Sequence, residues 1–241
     1  LGATANVFLG QVEAPLLVRP YLSSMTRHEL LILMTVGMST IAGSVMVVYT
    51  TMLSPIYGFG LIGHFLTASL ISVPAGIMFA NMMIPSEVKT DFPEGDSSKM
   101  YSSTVDALTQ GTKNGLEIFL SVIAMLIVVM ALVFLVNSIL GIFPEVNGSA
   151  ITLERILGII FAPLAWCMGI PWEESLIAGQ LLGVKTALNE FVAYLYLSDS
   201  ETYNLSEKSR LIMLYALCGF ANFSSVGILL SGMSAMIPER R

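Results

Sequence analysis

The sequence predicts an all-α polytopic membrane protein with an inverted repeat, two re-entrant helical hairpins and discontinuous membrane-spanning helices. Three observations lead there. Of the 241 residues, 55% are hydrophobic and only 12% are charged, about half the charged share of a soluble globular domain. Residues 30–86, 119–144 and 211–238 contain no Asp, Glu, Lys or Arg, and each run exceeds the roughly 20 apolar residues that carry a helix across a bilayer. Finally, polar residues that hydrocarbon rejects recur in two similar sets within apolar surroundings.

Taken in order, residues 1–22 are short and interrupted by Gly10, Pro15 and Pro20. They read as the second part of a re-entrant hairpin. A first span follows over 29–49 and a second over 61–84, joined by the loop "SPIYGFG". Together these make a unit over 1–85. Residues 86–115 are polar and mixed in charge, as in a cytoplasmic loop with a short helical stretch. Residues 116–150 hold a long span, 116–140. The last unit, 151–241, opens with an interfacial segment, 151–170, that contains Pro163. Trp166 and Trp172 suit an interfacial belt. Charges interrupt 173–199, and Gly183 to Thr186 offers the turn of a second re-entrant hairpin. A discontinuous span over 209–237 completes the chain.

Basic residues orient these spans. Arg19, Arg27, Lys89, Lys99, Lys113, Arg240 and Arg241 fall on one side, and Arg155, Lys208 and Arg210 on the other. The first side is expected to be the cytoplasm, so the two hairpins enter from opposite faces. The net charge of −6 gives no support to nucleic-acid binding. Cys167 and Cys218 lie in apolar segments without disulfide or zinc spacing, and read as packing residues.

The first polar set is "ANVFLGQVEAP", residues 5–15, followed by "GMSTIAGSV", residues 37–45. The second is "KTALNEFVAY", residues 185–194, followed by "CGFANFSSVG", residues 218–227. Each pairs a short hairpin bearing a Glu with a helix interrupted by small residues. An Asp, Lys or Arg at a helix centre costs about 2.5 to 3.5 kcal/mol, and Glu13 and Glu190 at depth would carry a similar penalty. Oppositely oriented repeats with broken helices are the best sequence pointer to a transporter's binding site. Ser44 and Ser224 read as small residues that permit close packing, Asn222 has interhelical hydrogen bonding as its alternative, and His64 reads as a packed or interfacial residue. Lys185 is a candidate counter-ion for Glu190, although five positions is not helical register.

The strings "GQVEAPLLVRPYL", "STIAGSV", "LNEFVAY" and "YALCGFANFSSVGI" resemble the concentrative nucleoside transporter family, and the resemblance extends over essentially the whole chain. It implies an ion-coupled symporter, trimeric, with a scaffold and a mobile part that carries the hairpins. It also implies that this chain is the C-terminal portion, starting inside the first hairpin and ending after the penultimate helix. Gln11 and Glu13 match residues facing the nucleobase, and Val45 one that packs on it. Val12 stands where many members have Thr or Ser. Glu190, Asn222 and Ser225 match residues holding the ribose hydroxyls, and Phe220 an aromatic of the same cavity. For sodium, Asn6 and the Leu9 carbonyl match one side of the ion site, and Thr40 with the Ile41 carbonyl the other.

The expected partners are therefore a nucleoside, sodium, membrane lipid and two further copies of the chain, in a multi-pass protein of a bacterial inner membrane. No cofactor beyond the coupling ion is expected. The alternatives are proton coupling, with Glu13 or Glu190 as carrier, and a gate-type membrane protein without transport. An intramembrane enzyme has no motif: there is no GxSxG, and His28 and His64 are far apart in sequence.

Overall fold

A computed structural model describes residues 2–58, 60–85, 102–146, 148, 150–199, 202–237 and 239. They are helical, with no strand among the described residues. Lys89, Lys99, Arg240 and Arg241, four of the seven basic residues expected on the cytoplasmic side, lie outside them, as does 86–101 of the polar segment.

Three short helices come first: α1 (Gly2–Ala5), α2 (Glu13–Leu17) and α3 (Arg19–Leu22). Helix α4 (Arg27–Ser39) starts at a capping box, in which Thr26 Oγ1 accepts from the Glu29 N–H and the Glu29 carboxylate from the Thr26 N–H. The chain unwinds at Thr40–Ala42 and resumes as α5 (Gly43–Tyr57). Hydroxyls add to this end: Ser39 Oγ and Thr40 Oγ1 both donate to the Val36 carbonyl, which also accepts from the Thr40 N–H. Helix α6 (Leu61–Met83) matches the second expected span. Residues 27–57, taken across the break, and 61–83 are long and apolar enough to cross a membrane.

Helix α7 runs from Thr104 to Leu140, 37 residues. It absorbs the end of the polar segment, which the sequence assigned to the loop, because the Ser103 hydroxyl caps the Asp106 N–H. Much of its apolar surface is exposed. Asn137 ties its end to α8 (Leu153–Cys167), accepting from the Leu153 N–H and donating to the Glu154 carboxylate.

Helix α8 continues through Pro163 and turns at 168–171 into α9 (Trp172–Ala187). The α8–α9 packing corrects the expected hairpin turn. Gly183 lies inside α9, where a Cβ would sit 2.9 Å from the Leu157 Cβ. A Cβ on Gly179 would sit 2.8 Å from the Ala162 N. These glycines bring two helices close, the role small residues take in membrane helix pairs. The chain breaks later, at Leu188–Asn189, and resumes as α10 (Glu190–Leu197). Helix α11 (Glu207–Leu217) ends at a third unwound stretch, 218–222, from which α12 (Phe223–Met236) departs.

The main core gathers α5, α6, α9, α10 and α11 around Tyr49, Phe65 and Tyr194, all essentially buried. The rings of Tyr49 and Tyr194 lie 4.7 Å apart, and the Tyr194 hydroxyl donates to the Leu214 carbonyl at 2.7 Å. This packing holds the breaks in helices α4/α5, α9/α10 and α11/α12 in place.

Candidate functional site

The breaks converge. Gly219, in the α11/α12 break, has φ +94°, and a Cβ there would lie 2.6 Å from the Ser39 carbonyl oxygen at the end of α4. The loop between α1 and α2 joins the same crossing. Gly43 donates its N–H to the Phe8 carbonyl at 2.9 Å, and a Cβ on Gly37 would lie 3.3 Å from the Gln11 Cα. Backbone contacts this close require the small residues that the sequence places at both breaks.

A cavity of about 300 Å³ opens at this crossing, at the lower end of the usual range for ligand sites, about 300–1,000 Å³. All eight residues expected to contact an organic ligand line it: Gln11, Val12, Glu13, Val45, Glu190, Phe220, Asn222 and Ser225. Phe191 adds a second aromatic ring.

The polar centre of the wall is Glu190, 6% exposed. Its Oε1 accepts from the Tyr49 hydroxyl at 3.0 Å, and its Oε2 from the Asn222 amide at 2.7 Å. Asn222 also caps α12, its Oδ1 accepting from the Ser225 N–H at 2.7 Å. Asn189 caps α10 in the same manner, through the Val192 N–H at 2.9 Å. Two helix N-termini with their partial positive charge therefore flank one buried carboxylate. A carboxylate offers about four acceptor positions, so Tyr49 and Asn222 do not exhaust its capacity to accept.

Lys185, the candidate counter-ion of Glu190, interacts with its charge but bonds elsewhere. The Lys185 ammonium donates to the carbonyls of Ala216, at 2.9 Å, and Cys218, at 3.1 Å. Those carbonyls lie at the C-terminal end of α11, where the break leaves them unpaired and the helix dipole is negative, so they attract a cation more directly than a carboxylate five residues away. Sequence reasoning also missed Tyr49. A Tyr in an apolar run reads as packing, and its partner lies 141 positions away.

In the first hairpin, Glu13 is exposed, and its carboxylate folds over Gly10, where a Cβ would collide with it. Gln11 is buried, and its Oε1 has no hydrogen-bond partner. Val12 is 3% exposed and packs against Gly232, where a Cβ would lie 2.9 Å from its Cγ1.

Of the four residues expected to hold sodium, Thr40 and Ile41 form the α4/α5 break, and Asn6 and Leu9 belong to the segment that bonds to it through the Phe8 carbonyl. Asn6 is fully buried, and neither its Oδ1 nor its Nδ2 has a partner. A buried amide left unpaired is costly, so this group calls for a partner. Thr40 is buried, with its hydroxyl proton directed to the Val36 carbonyl. That arrangement leaves oxygen lone pairs for a cation. Ile41 is fully buried, and Leu9 follows the bonded Phe8.

Comparison with known proteins gives a consistent set of likenesses. The family model for the C-terminal part of Na+-dependent nucleoside transporters matches residues 64–241. The chain is 43% identical over 249 residues to an uncharacterised transporter of Haemophilus influenzae, and covers 58% of it. It is 37% identical over 246 residues to nucleoside permease NupC of Helicobacter pylori, and covers 57% of that protein. Identity to human solute carrier family 28 member 3 is 36% over 258 residues, covering 36% of that protein. These matches take in 99–100% of the present chain. The chain thus spans less than two thirds of the length of these curated relatives. Among solved structures, CNTnw in an inward-facing, substrate-bound state has a TM-score of 0.79 at 38% identity, covering 99% of this chain and 57% of CNTnw. An intermediate state of a CNTnw variant has a TM-score of 0.85 at 37% identity, with 99% and 58% covered. An outward-facing state has also been solved.

Proposed function

Because the chain belongs to the family of Na+-dependent nucleoside transporters, we propose that the whole protein is a sodium-coupled nucleoside symporter that works by alternating access. The relatives are membrane transporters and not enzymes. The observation that carries the reading is the Glu190–Asn222 bond on the cavity wall. It joins two separate helix breaks through groups suited to a vicinal diol.

In this reading the ribose hydroxyls donate to the free lone pairs of Glu190, and charge-assisted bonds of this kind are roughly twice as strong as neutral ones. Asn222 and Ser225 complete the sugar site. Phe220 and Val45 hold the apolar faces of the nucleoside. The unpaired Gln11 Oε1 and the exposed Glu13 carboxylate accept from the base. Sodium, a hard cation that prefers oxygen, takes Asn6 Oδ1, Thr40 Oγ1 and the carbonyls of Leu9 and Ile41, in the way broken helices hold coupling ions. The buried orphan amide of Asn6 favours an ion over a proton here.

The same proposal makes residues 1–22 the second part of one re-entrant hairpin and the α9–α10 pair the other, in an inverted repeat. The α4/α5 and α11/α12 breaks are its two discontinuous spans. The full-length protein is a homotrimer in a bacterial inner membrane, in contact with lipid. The test is calorimetric titration of uridine into purified full-length protein, with sodium and with choline. The reading expects binding that requires sodium. Absence of nucleoside binding in both salts would overturn it.

A further inference from the structure

We propose that Lys185 is a positioning residue for the sugar site. Held on the carbonyls of Ala216 and Cys218, it sets the unwound stretch that presents Phe220 and Asn222, and thereby determines how sharply the site discriminates ligand hydroxyls. The proposal rests on the nucleoside reading above.

Lys185 is 7% exposed and does not line the cavity. An ammonium at such a place is expensive unless it is partnered. Its partners are two backbone oxygens at the C-terminal end of α11, where the dipole favours a cation. A neutral, non-donating side chain would leave those carbonyls unpaired at the point where the helix stops.

The stretch 185–190 therefore grips the α11/α12 break twice. Lys185 holds its beginning, and Glu190 meets Asn222 at its end. Gly219 lies between the two grips with its backbone against Ser39, so a shift at Cys218 is transmitted to Phe220 and Asn222 and not absorbed.

The arrangement has an electrostatic consequence as well. Lys185 places a positive charge in the same buried region as the Glu190 carboxylate without occupying its oxygens. A direct ion pair would consume the lone pairs that a diol needs. Binding the ammonium to backbone leaves those lone pairs for Tyr49, Asn222 and the ligand.

The experiment uses the full-length protein in proteoliposomes. It measures competition of labelled uridine uptake by unlabelled uridine and by 3′-deoxyuridine. In the wild type, 3′-deoxyuridine is expected to compete at least about tenfold more weakly, since it leaves a buried acceptor unpaired. In Lys185→Met that ratio falls below about threefold while the KM for uridine rises, and Lys185→Arg, which keeps the charge and the donors, retains discrimination. A purely structural role would lower the amount of protein and the maximal rate at an unchanged ratio, and that result overturns the proposal. Should Lys185→Met not accumulate, Lys185→Gln, neutral and able to hold one carbonyl, is read in the same way. A wild-type protein that takes up no nucleoside would instead overturn the functional reading itself.

Discussion

The side-chain amide of Asn222 donates to the Glu190 carboxylate at 2.7 Å, while its own oxygen caps helix α12. Because the oxygen is committed to the cap, the amide nitrogen must face Glu190. Asn222 can meet the carboxylate only as a donor.

Glu190→Gln tests that constraint. The variant must place either an amide nitrogen against the Asn222 donor or a donor against the Tyr49 hydroxyl, which must then turn to accept. Uptake of labelled uridine is expected to fall to near background with the membrane level of protein unchanged on an immunoblot. Wild-type uptake in the variant would remove Glu190 from the sugar site. Tyr49→Phe, which deletes one of the two side-chain donors, should raise the KM by at least about tenfold, given about 1.5–3 kcal/mol for a hydrogen bond to a charged group.

Gly219→Ala is expected to destabilise the protein. A left-handed conformation costs a non-glycine residue about 1–2 kcal/mol, and the added methyl meets the Ser39 carbonyl at 2.6 Å. The check is the apparent melting temperature of the detergent-solubilised protein. An unchanged value would mean that the two breaks do not cross this closely.

Thr40→Val keeps the shape of a buried side chain and removes its oxygen. The sodium concentration for half-maximal uptake should rise about tenfold, in line with one lost polar ligand. Equal sodium dependence in variant and wild type would place the ion elsewhere.

Val12→Thr adds a hydroxyl to a cavity-lining residue packed on Gly232. A new polar contact is worth about 0.5–1.5 kcal/mol, so the ratio of purine to pyrimidine competition should shift by a few-fold with ribose dependence intact. An identical competition order in both proteins would show that residue 12 does not face the base.

The sequence shows most of the elements and the site. Charge-free runs locate α6 and both discontinuous spans, and clusters of small polar residues mark the α4/α5 and α11/α12 breaks. The α9/α10 break was misplaced because Gly183 looks like a turn, whereas the operative signal was Asn189, a strong helix cap. A glycine in a membrane helix serves either purpose, and only the neighbour, here Leu157, decides which. The partner of Lys185 was illegible for another reason. It is backbone, freed by a break 31 residues downstream, and no residue type announces a free carbonyl. The eight cavity residues were found through family resemblance; periodicity alone singled out only the glutamates and the small-residue breaks.

The proposed function has a sodium gradient drive nucleosides through the cavity at the crossing of the two broken helices. Proteoliposomes containing the full-length protein test it most directly. An inward sodium gradient should concentrate labelled uridine above the external level, and collapsing that gradient with a sodium ionophore should abolish the accumulation. Accumulation that ignores sodium and follows an imposed pH gradient, or no accumulation under either gradient, would contradict the account.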